Sequence, residues 1–198
     1  MLKLPPRGLG QRIGLFGGSF NPAHRGHYMV ALYAMKRLKL DWVWWLVSPQ
    51  NPLKSKNETA EYVERLKYTR RIARHPRFIV TDLEQQMDAK YTADTLRLLK
   101  QKSGNTRFVW IMGADSLAGL HHWHHWQDIA NIVPLAVLAR PGYSMRALRS
   151  LAATRLAFAR ATVPSAVVTA KPPAWAFITM PLRKESSTAI RRRRKSKT

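Results

Sequence analysis

The chain has 198 residues, 45% of them apolar, which suits one α/β domain with a real core and is ordinary for a globular protein. It has no cysteine, which excludes disulfides and thiolate metal sites. It also lacks any apolar run of about 18 residues that could span a bilayer. Thirty-four Lys and Arg against 11 Asp and Glu give a net charge of +23, a field that attracts anionic substrates and nucleic acid alike.

In chain order, residues 1–11 read as a loosely ordered extension without the apolar stretch of a secretory signal. Arg12 to Phe16 is the first strand, and a helix is expected from His24 to Leu38. Trp42 to Val47, WVWWLV, reads as a strand buried on both faces. It runs into SPQNPLKSKN, a loop that carries Lys54 and Lys56. A helix follows from Thr59 or Ala60 to Arg74, stopped by His75-Pro76. Phe78 to Thr81 is a short third strand, and Thr92 to Lys102 an amphipathic helix closed by Ser103-Gly104-Asn105. Arg107 to Met112 is the fourth strand, and Ile132 to Ala139 contains the fifth. Met145 to Arg160 reads as largely helical, 161–174 as a loop, Trp175 to Met180 as a late strand, and Ser186 to Arg193 as a short final helix. The chain then runs out in basic residues 192–198, which read as a solvated tail.

Alternation of strands and helices implies a doubly wound, Rossmann-like and mainly parallel sheet with helices on both faces, here as a single domain over 12–191. Ligands of such sheets sit at the carboxyl ends of strands, near the point where strand order reverses. The stretch Gly14 to His27, GLFGGSFNPAHRGH, falls at such a place. Gly17 and Gly18 allow close approach to a ligand, Pro22 pre-sets the turn, and the helix N-terminus beyond it favours anions. His24 and His27 are three apart and share one helix face. No G-x-x-x-x-G-K-[ST] occurs and the glycines do not fit G-x-G-x-x-G, so neither a Walker loop nor the dinucleotide fingerprint is present.

His24-Arg25-Gly26-His27 resembles the H-x-G-H signature of the nucleotidyltransferase superfamily, and the longer GGSFNPAHRGH is similar to bacterial nicotinate-nucleotide adenylyltransferases. The resemblance runs from about Ile13 to Arg191, with its specificity in four short segments. It implies ATP contacts at Gly17, Gly18, Ser19 and Phe20, with His24 and His27 on the phosphates. In GADSL it implies that Gly113 and Asp115 contact the adenosine; read alone, Asp115 could simply cap the next helix. In KYTADTL it places Tyr91 and Thr92 in the pyridine-nucleotide pocket, where Thr92 could otherwise be only an N-cap. In LHHWHHW it aligns Trp123 with a tryptophan that stacks on the nicotinate ring, the alternative being a packing tryptophan. The four histidines at 121, 122, 124 and 125 suggest a metal by composition, but no carboxylate or cysteine in the cluster completes a site, and none is assigned.

ESSTAIR resembles the family's I-S-S-T-x-I-R, with Ser186, Ser187 and Thr188 at a helix N-terminus and Arg191 one turn on, groups suited to a triphosphate. Glu185 departs from that pattern, which usually has an apolar residue there. Lys54 lies where the family binds phosphate. The implied reaction joins ATP, with Mg²⁺, to nicotinate mononucleotide, giving deamido-NAD and pyrophosphate in the cytoplasm. Sibling transferases acting on nicotinamide mononucleotide or phosphopantetheine are the near alternative. A basic nucleic-acid-binding protein is the alternative from another class, although no helix-turn-helix, RNP or zinc-finger pattern appears and no specific nucleic acid is expected.

Overall fold

The apolar runs become strands of one sheet in a computed structural model, which describes residues 2–49, 60–181 and 185–196. In chain order these are β1 (Arg12–Gly18), α1 (Arg25–Arg37), β2 (Trp42–Val47), α2 (Tyr62–Ile72), β3 (Phe78–Thr81) and α3 (Leu83–Gln86). Then come α4 (Thr92–Lys102), β4 (Arg107–Gly113), α5 (Ala114–Ala118), α6 (Trp126–Ile132), β5 (Leu135–Leu138), α7 (Ser144–Leu148), α8 (Leu151–Arg155), β6 (Trp175–Ile178) and α9 (Ser187–Lys195). The six strands pair in the order β3-β2-β1-β4-β5-β6 and every pairing is parallel. Strand order reverses between β1 and β4, so the switch point lies at the carboxyl end of β1.

The period of two along each strand divides the core. Leu15, Trp44, Trp110 and Val137 face one layer, packed by α3 to α8. Phe16, Trp45, Ile111 and Leu138 face the other, packed by α1, α2 and a 3-10 turn at Pro164–Val168. This explains why WVWWLV carries no polar residue: helices cover it on both sides. Trp44, Trp45 and Trp110 are almost fully buried.

Several boundaries differ from the sequence reading. β1 extends through Gly17 and Gly18, which pair with Leu46 and Val47, so the turn begins only at Ser19. A Cβ on Gly17 would overlap the Trp110 indole from the neighbouring strand, which is why glycine stands there. The long helix expected over 145–160 is broken in two, because Ser150 Oγ accepts from the Ala153 N–H at 3.3 Å and caps a fresh helix. The short α3, α5 and α6 carry too few residues to show a 3.6-residue period, so the sequence pattern gives them no bounds. The last helix spans 187–195, so it includes most of the basic run. Near the start of the chain, Leu2 and Leu4 pack on the core, Lys3 N–H donates to Gln86 Oε1 at 3.0 Å, and Arg7 Nη2 donates to the Lys102 carbonyl at 3.0 Å.

Candidate active site

A cavity of about 970 Å³ opens at the carboxyl edge of the sheet, at the switch point. The structure brings every predicted site residue among the described ones to its wall. Gly17, Gly18, Ser19, Phe20, His24 and His27 come from the end of β1 and the start of α1. Gly113 and Asp115 follow β4, and Ser186, Ser187, Thr188 and Arg191 come from the start of α9. Tyr91, Thr92 and Trp123 close the far side. Lys54 lies outside the described residues. A second groove of about 620 Å³, bordered by Leu9, Lys100, Arg107 and Val168, is lined by none of the predicted site residues.

The H-x-G-H segment forms a reciprocal helix cap. His24 Nδ1 accepts from the Gly26 N–H at 3.1 Å, and His27 Nδ1 accepts from the His24 N–H at 3.2 Å. The two rings lie 3.8 Å apart. Because each Nδ1 accepts, the neutral tautomer of each ring carries its proton on Nε2. His24 is 4% exposed, and its Nε2 has no partner among the described residues. Burial, reinforced by the charge of Arg140, lowers the His24 pKa to about 4, so the ring is neutral at pH 7. Gly26 is required by the same geometry: a Cβ there would sit 2.9 Å from the His24 ring and 3.5 Å from the Glu185 carbonyl of the incoming C-terminal segment. Phe20 adopts a left-handed φ of 42°. Its buried ring, 5.1 Å from both Trp45 and His27, holds it there against a strain of about 1 kcal/mol or more.

The C-terminal motif docks on that same loop across most of the chain's length. Ser187 Oγ donates to the Pro22 carbonyl at 2.9 Å, and Arg191 Nη1 donates to the Asn21 carbonyl at 2.7 Å. Ser186 Oγ accepts from the Ala189 N–H at 3.2 Å and so caps α9. These contacts leave the N-termini of α1 and α9 bordering one cavity, two partial positive charges beside the guanidinium of Arg191.

Asp115 does not cap α5. Gly113 holds the N-cap position, and Asp115 lies in the first turn with one oxygen 3.9 Å from Arg140 Nε. Likewise Tyr91, not Thr92, is the N-cap residue of α4. The Tyr91 ring stacks on His124 at 4.1 Å and 19°, joining the α4 entry to the loop that carries Trp123. Among the described residues no group of three or more His, Cys, Asp or Glu side chains could hold a metal ion.

Sequence reasoning missed several lining residues. Arg140 directly follows the β5 segment, and its place at the carboxyl edge was the signal available for it. Glu84, on α3, is 7% exposed, and burial pushes its pKa from 4.5 up to about 7 despite hydrogen bonds from Thr95 and Ser48. It sits in TDLEQQ, where nothing in the pattern marks a buried carboxyl. Trp110, a core strand residue by pattern, also borders the cavity.

Known proteins resemble this chain along most of its length. The cytidylyltransferase-like family model matches residues 15–193. A protein of Caulobacter sp. strain K31 named "Probable nicotinate-nucleotide adenylyltransferase" is 52% identical over 184 residues, 92% of this chain and 97% of that one. One of the same name from Cereibacter sphaeroides is 50% identical over 180 residues, 90% of this chain and 96% of that one. Among solved structures, nicotinic acid mononucleotide adenylyltransferase of Plasmodium falciparum complexed with NaAD superposes with a TM-score of 0.69, covering 92% of this chain and 83% of that one. At 18% identity that likeness speaks for the fold. With half of its residues shared with those bacterial relatives over nine-tenths of its length, and with the H-x-G-H and S-S-T-x-I-R segments meeting at one cavity, this chain belongs to the nicotinate-nucleotide adenylyltransferase family.

Proposed function

We infer that the chain transfers the adenylyl group of ATP to nicotinate mononucleotide, forming deamido-NAD and pyrophosphate. The observation that carries the mechanism is the buried, neutral His24, whose Nε2 has no partner among the described residues, beside His27 at the N-terminus of α1. That pair suits the α- and β-phosphate oxygens of ATP: the helix N-terminus favours the anion, and a neutral imidazole donates without having to lose a proton.

The nucleophile is the phosphate of nicotinate mononucleotide. With a second pKa of about 6 it is largely dianionic at neutral pH and needs no general base. One of its oxygens attacks the α-phosphorus; the new P–O bond forms as the bond to the β-phosphate oxygen breaks, and the electron pair leaves on pyrophosphate. The work left for the protein is to hold two polyanions in line and to stabilise charge moving to the leaving group. In this reading His24 and His27 donate to the α/β oxygens. Arg191 and the hydroxyl and N–H groups of Ser186 to Thr188 hold the triphosphate, with Lys54 as a further phosphate ligand. Gly17, Gly18, Ser19 and Phe20 contact ATP, and Gly113 and Asp115 take the adenosine, Asp115 at a ribose hydroxyl. Tyr91 and Thr92 border the nicotinate, and Trp123 stacks on it.

The nucleotide enters as MgATP. Hydroxyls, imidazoles, N–H groups and the carboxylate of Asp115 would suit an ion that keeps its waters and is brought in with the triphosphate. The ion would neutralise charge on the triphosphate. A cytoplasmic site of action, where ATP is at hand, goes with the reading.

The test offers purified protein MgATP with nicotinate mononucleotide, nicotinamide mononucleotide or phosphopantetheine in separate reactions. Product is resolved by chromatography and pyrophosphate is followed by a coupled assay. Deamido-NAD formed much faster than either other product is the expected result. Product from another acceptor alone keeps adenylyl transfer and refutes the roles of Tyr91, Thr92 and Trp123.

A further inference from the structure

Arg65, in the first turns of α2, is 3% exposed and does not line the cavity. Its guanidinium makes four hydrogen bonds, all to main-chain carbonyls. Nε donates to Ala60 at 3.0 Å, Nη1 to Ser19 at 2.6 Å and Ser48 at 2.8 Å, and Nη2 to Pro49 at 2.6 Å. Burial lowers its pKa below the ordinary arginine value, yet an arginine keeps its proton in such a site. Four of the five N–H donors of a rigid planar fork are thus aimed at three separate stretches of chain.

Those stretches are not arbitrary. Ser19 belongs to the loop between β1 and α1 that carries the two histidines. Ser48 and Pro49 follow β2, and Ala60 leads into α2. The bonds continue beyond Ser48, which hydrogen-bonds the buried carboxyl of Glu84. That carboxyl accepts from Thr95 Oγ1 at 3.4 Å, on the first turn of α4 next to Tyr91 and Thr92. An unbroken path of hydrogen bonds therefore runs from the phosphate loop to the wall assigned to the acceptor, with Arg65 at its branching point.

We propose that Arg65 is a positioning residue that sets the distance between the phosphate loop and the acceptor wall, and so the in-line geometry of the reaction. The proposal rests on the adenylyl-transfer reading. Packing alone does not call for a guanidinium here. An apolar side chain of similar volume fills such a space without the desolvation cost of a buried charge. Charge alone does not call for it either. A lysine is a point charge on a flexible stem and cannot span four carbonyls in one plane. What the fork supplies is fixed relative placement, and a misplacement of about 1 Å at the reacting atoms can lower turnover roughly 10²-fold.

The experiment compares the unaltered protein with Arg65→Lys and Arg65→Ala. It measures kcat and KM for MgATP and for nicotinate mononucleotide, with circular dichroism and thermal melting alongside. Arg65→Lys is expected to fold and to lose kcat by roughly 10²-fold, a much larger change than in either KM. Arg65→Ala is expected to regain activity with millimolar guanidinium and not with ethylammonium, because only the planar cation replaces the fork. A folded Arg65→Lys protein with kcat within about twofold of the parent overturns the proposal, as does equal rescue by both cations. Failure of both variants to fold also overturns it, by assigning Arg65 to stability alone. A parent protein that makes no deamido-NAD refutes adenylyl transfer itself, and this proposal falls with it; an active parent with an unaffected Arg65→Lys refutes the positioning role alone.

Discussion

The half of the cavity at the start of α1 is built from hydrogen bonds between side chains and main chain, two of them local caps and two joining parts of the chain far apart in sequence; the half at the start of α4 is built from rings and one buried carboxyl. On the first side, His24 and His27 cap α1, and Ser187 and Arg191 reach back to Pro22 and Asn21. On the second, Tyr91 stacks on His124, Trp123 stands alongside, and Glu84 lies beneath α4. The difference follows from the ligands expected on each side. A triphosphate offers many equivalent oxygens and is held by N–H groups of fixed direction. A flat heteroaromatic ring offers two faces and an edge, and is selected by shape and stacking.

If the first half carries the chemistry, His24→Asn is the sharpest way to break it. Asparagine is a good N-cap, so the helix start survives, while the Nε2 donor is lost. We expect kcat/KM to fall about 10²- to 10³-fold with the melting temperature nearly unchanged. Because His24 is neutral down to a pKa of about 4, the acid limb of kcat/KM in the parent should lie near pH 6, that of the substrate phosphate, and should persist in the residual activity of the variant. A limb that disappears in the variant would assign that titration to His24.

The second half should instead show itself in stability against pH. Glu84 holds its proton up to about pH 7 in the fold, whereas in the unfolded chain it loses it near 4.5. The unfolded state therefore releases the proton first, and stability falls as pH rises from about 4.5 to 7, by on the order of 3 kcal/mol. Glu84→Gln cannot ionise, so its melting temperature should not share that decline. Parallel melting curves for parent and variant across pH 4.5 to 8 would show that Glu84 titrates as an exposed carboxyl does.

Arg191→Ala then tests how far the two halves are independent. Loss of one charge-assisted contact of about 2 kcal/mol predicts a roughly 30-fold higher KM for MgATP and little change for the acceptor. Trp123→Ala predicts the reverse at smaller scale: an acceptor KM raised about fivefold, as a lost aromatic contact of near 1 kcal/mol implies, with the KM for MgATP unmoved. If either variant changed both constants together, the comparison would collapse into a single cooperative site.

The two halves also differed in how far the sequence revealed them. GGSFNPAHRGH is contiguous, so the whole phosphate loop could be seen at once, and the strand before it fixed its place on the sheet. The alternation of strands and helices and the two-sided burial of WVWWLV were legible for the same reason: each is a local pattern with one structural outcome. The acceptor side is assembled from 84, 91–92, 110 and 122–124, pieces that no local pattern joins. Glu84 looks like a surface residue of a polar stretch, and only the packing of α3 under α4 buries it. Arg65 looks like one more cation in a basic helix. Its meaning lies in four carbonyls that the sequence cannot place. Gly17 reads from the sequence as a point of close approach to a ligand; that a Cβ there would also meet the indole of Trp110 depends on a different strand.

The docking of α9 on the loop that precedes α1 has a consequence for synthesis of the protein. The histidine loop is synthesised well before Ser187 and Arg191, so the sheet can be complete before its cavity is. A chain interrupted after β6 would possess every strand of the sheet and both imidazoles and still lack the arginine and the second helix N-terminus that border the cavity. Full assembly of the cavity wall therefore waits until synthesis has passed Arg191, well after the last strand of the sheet.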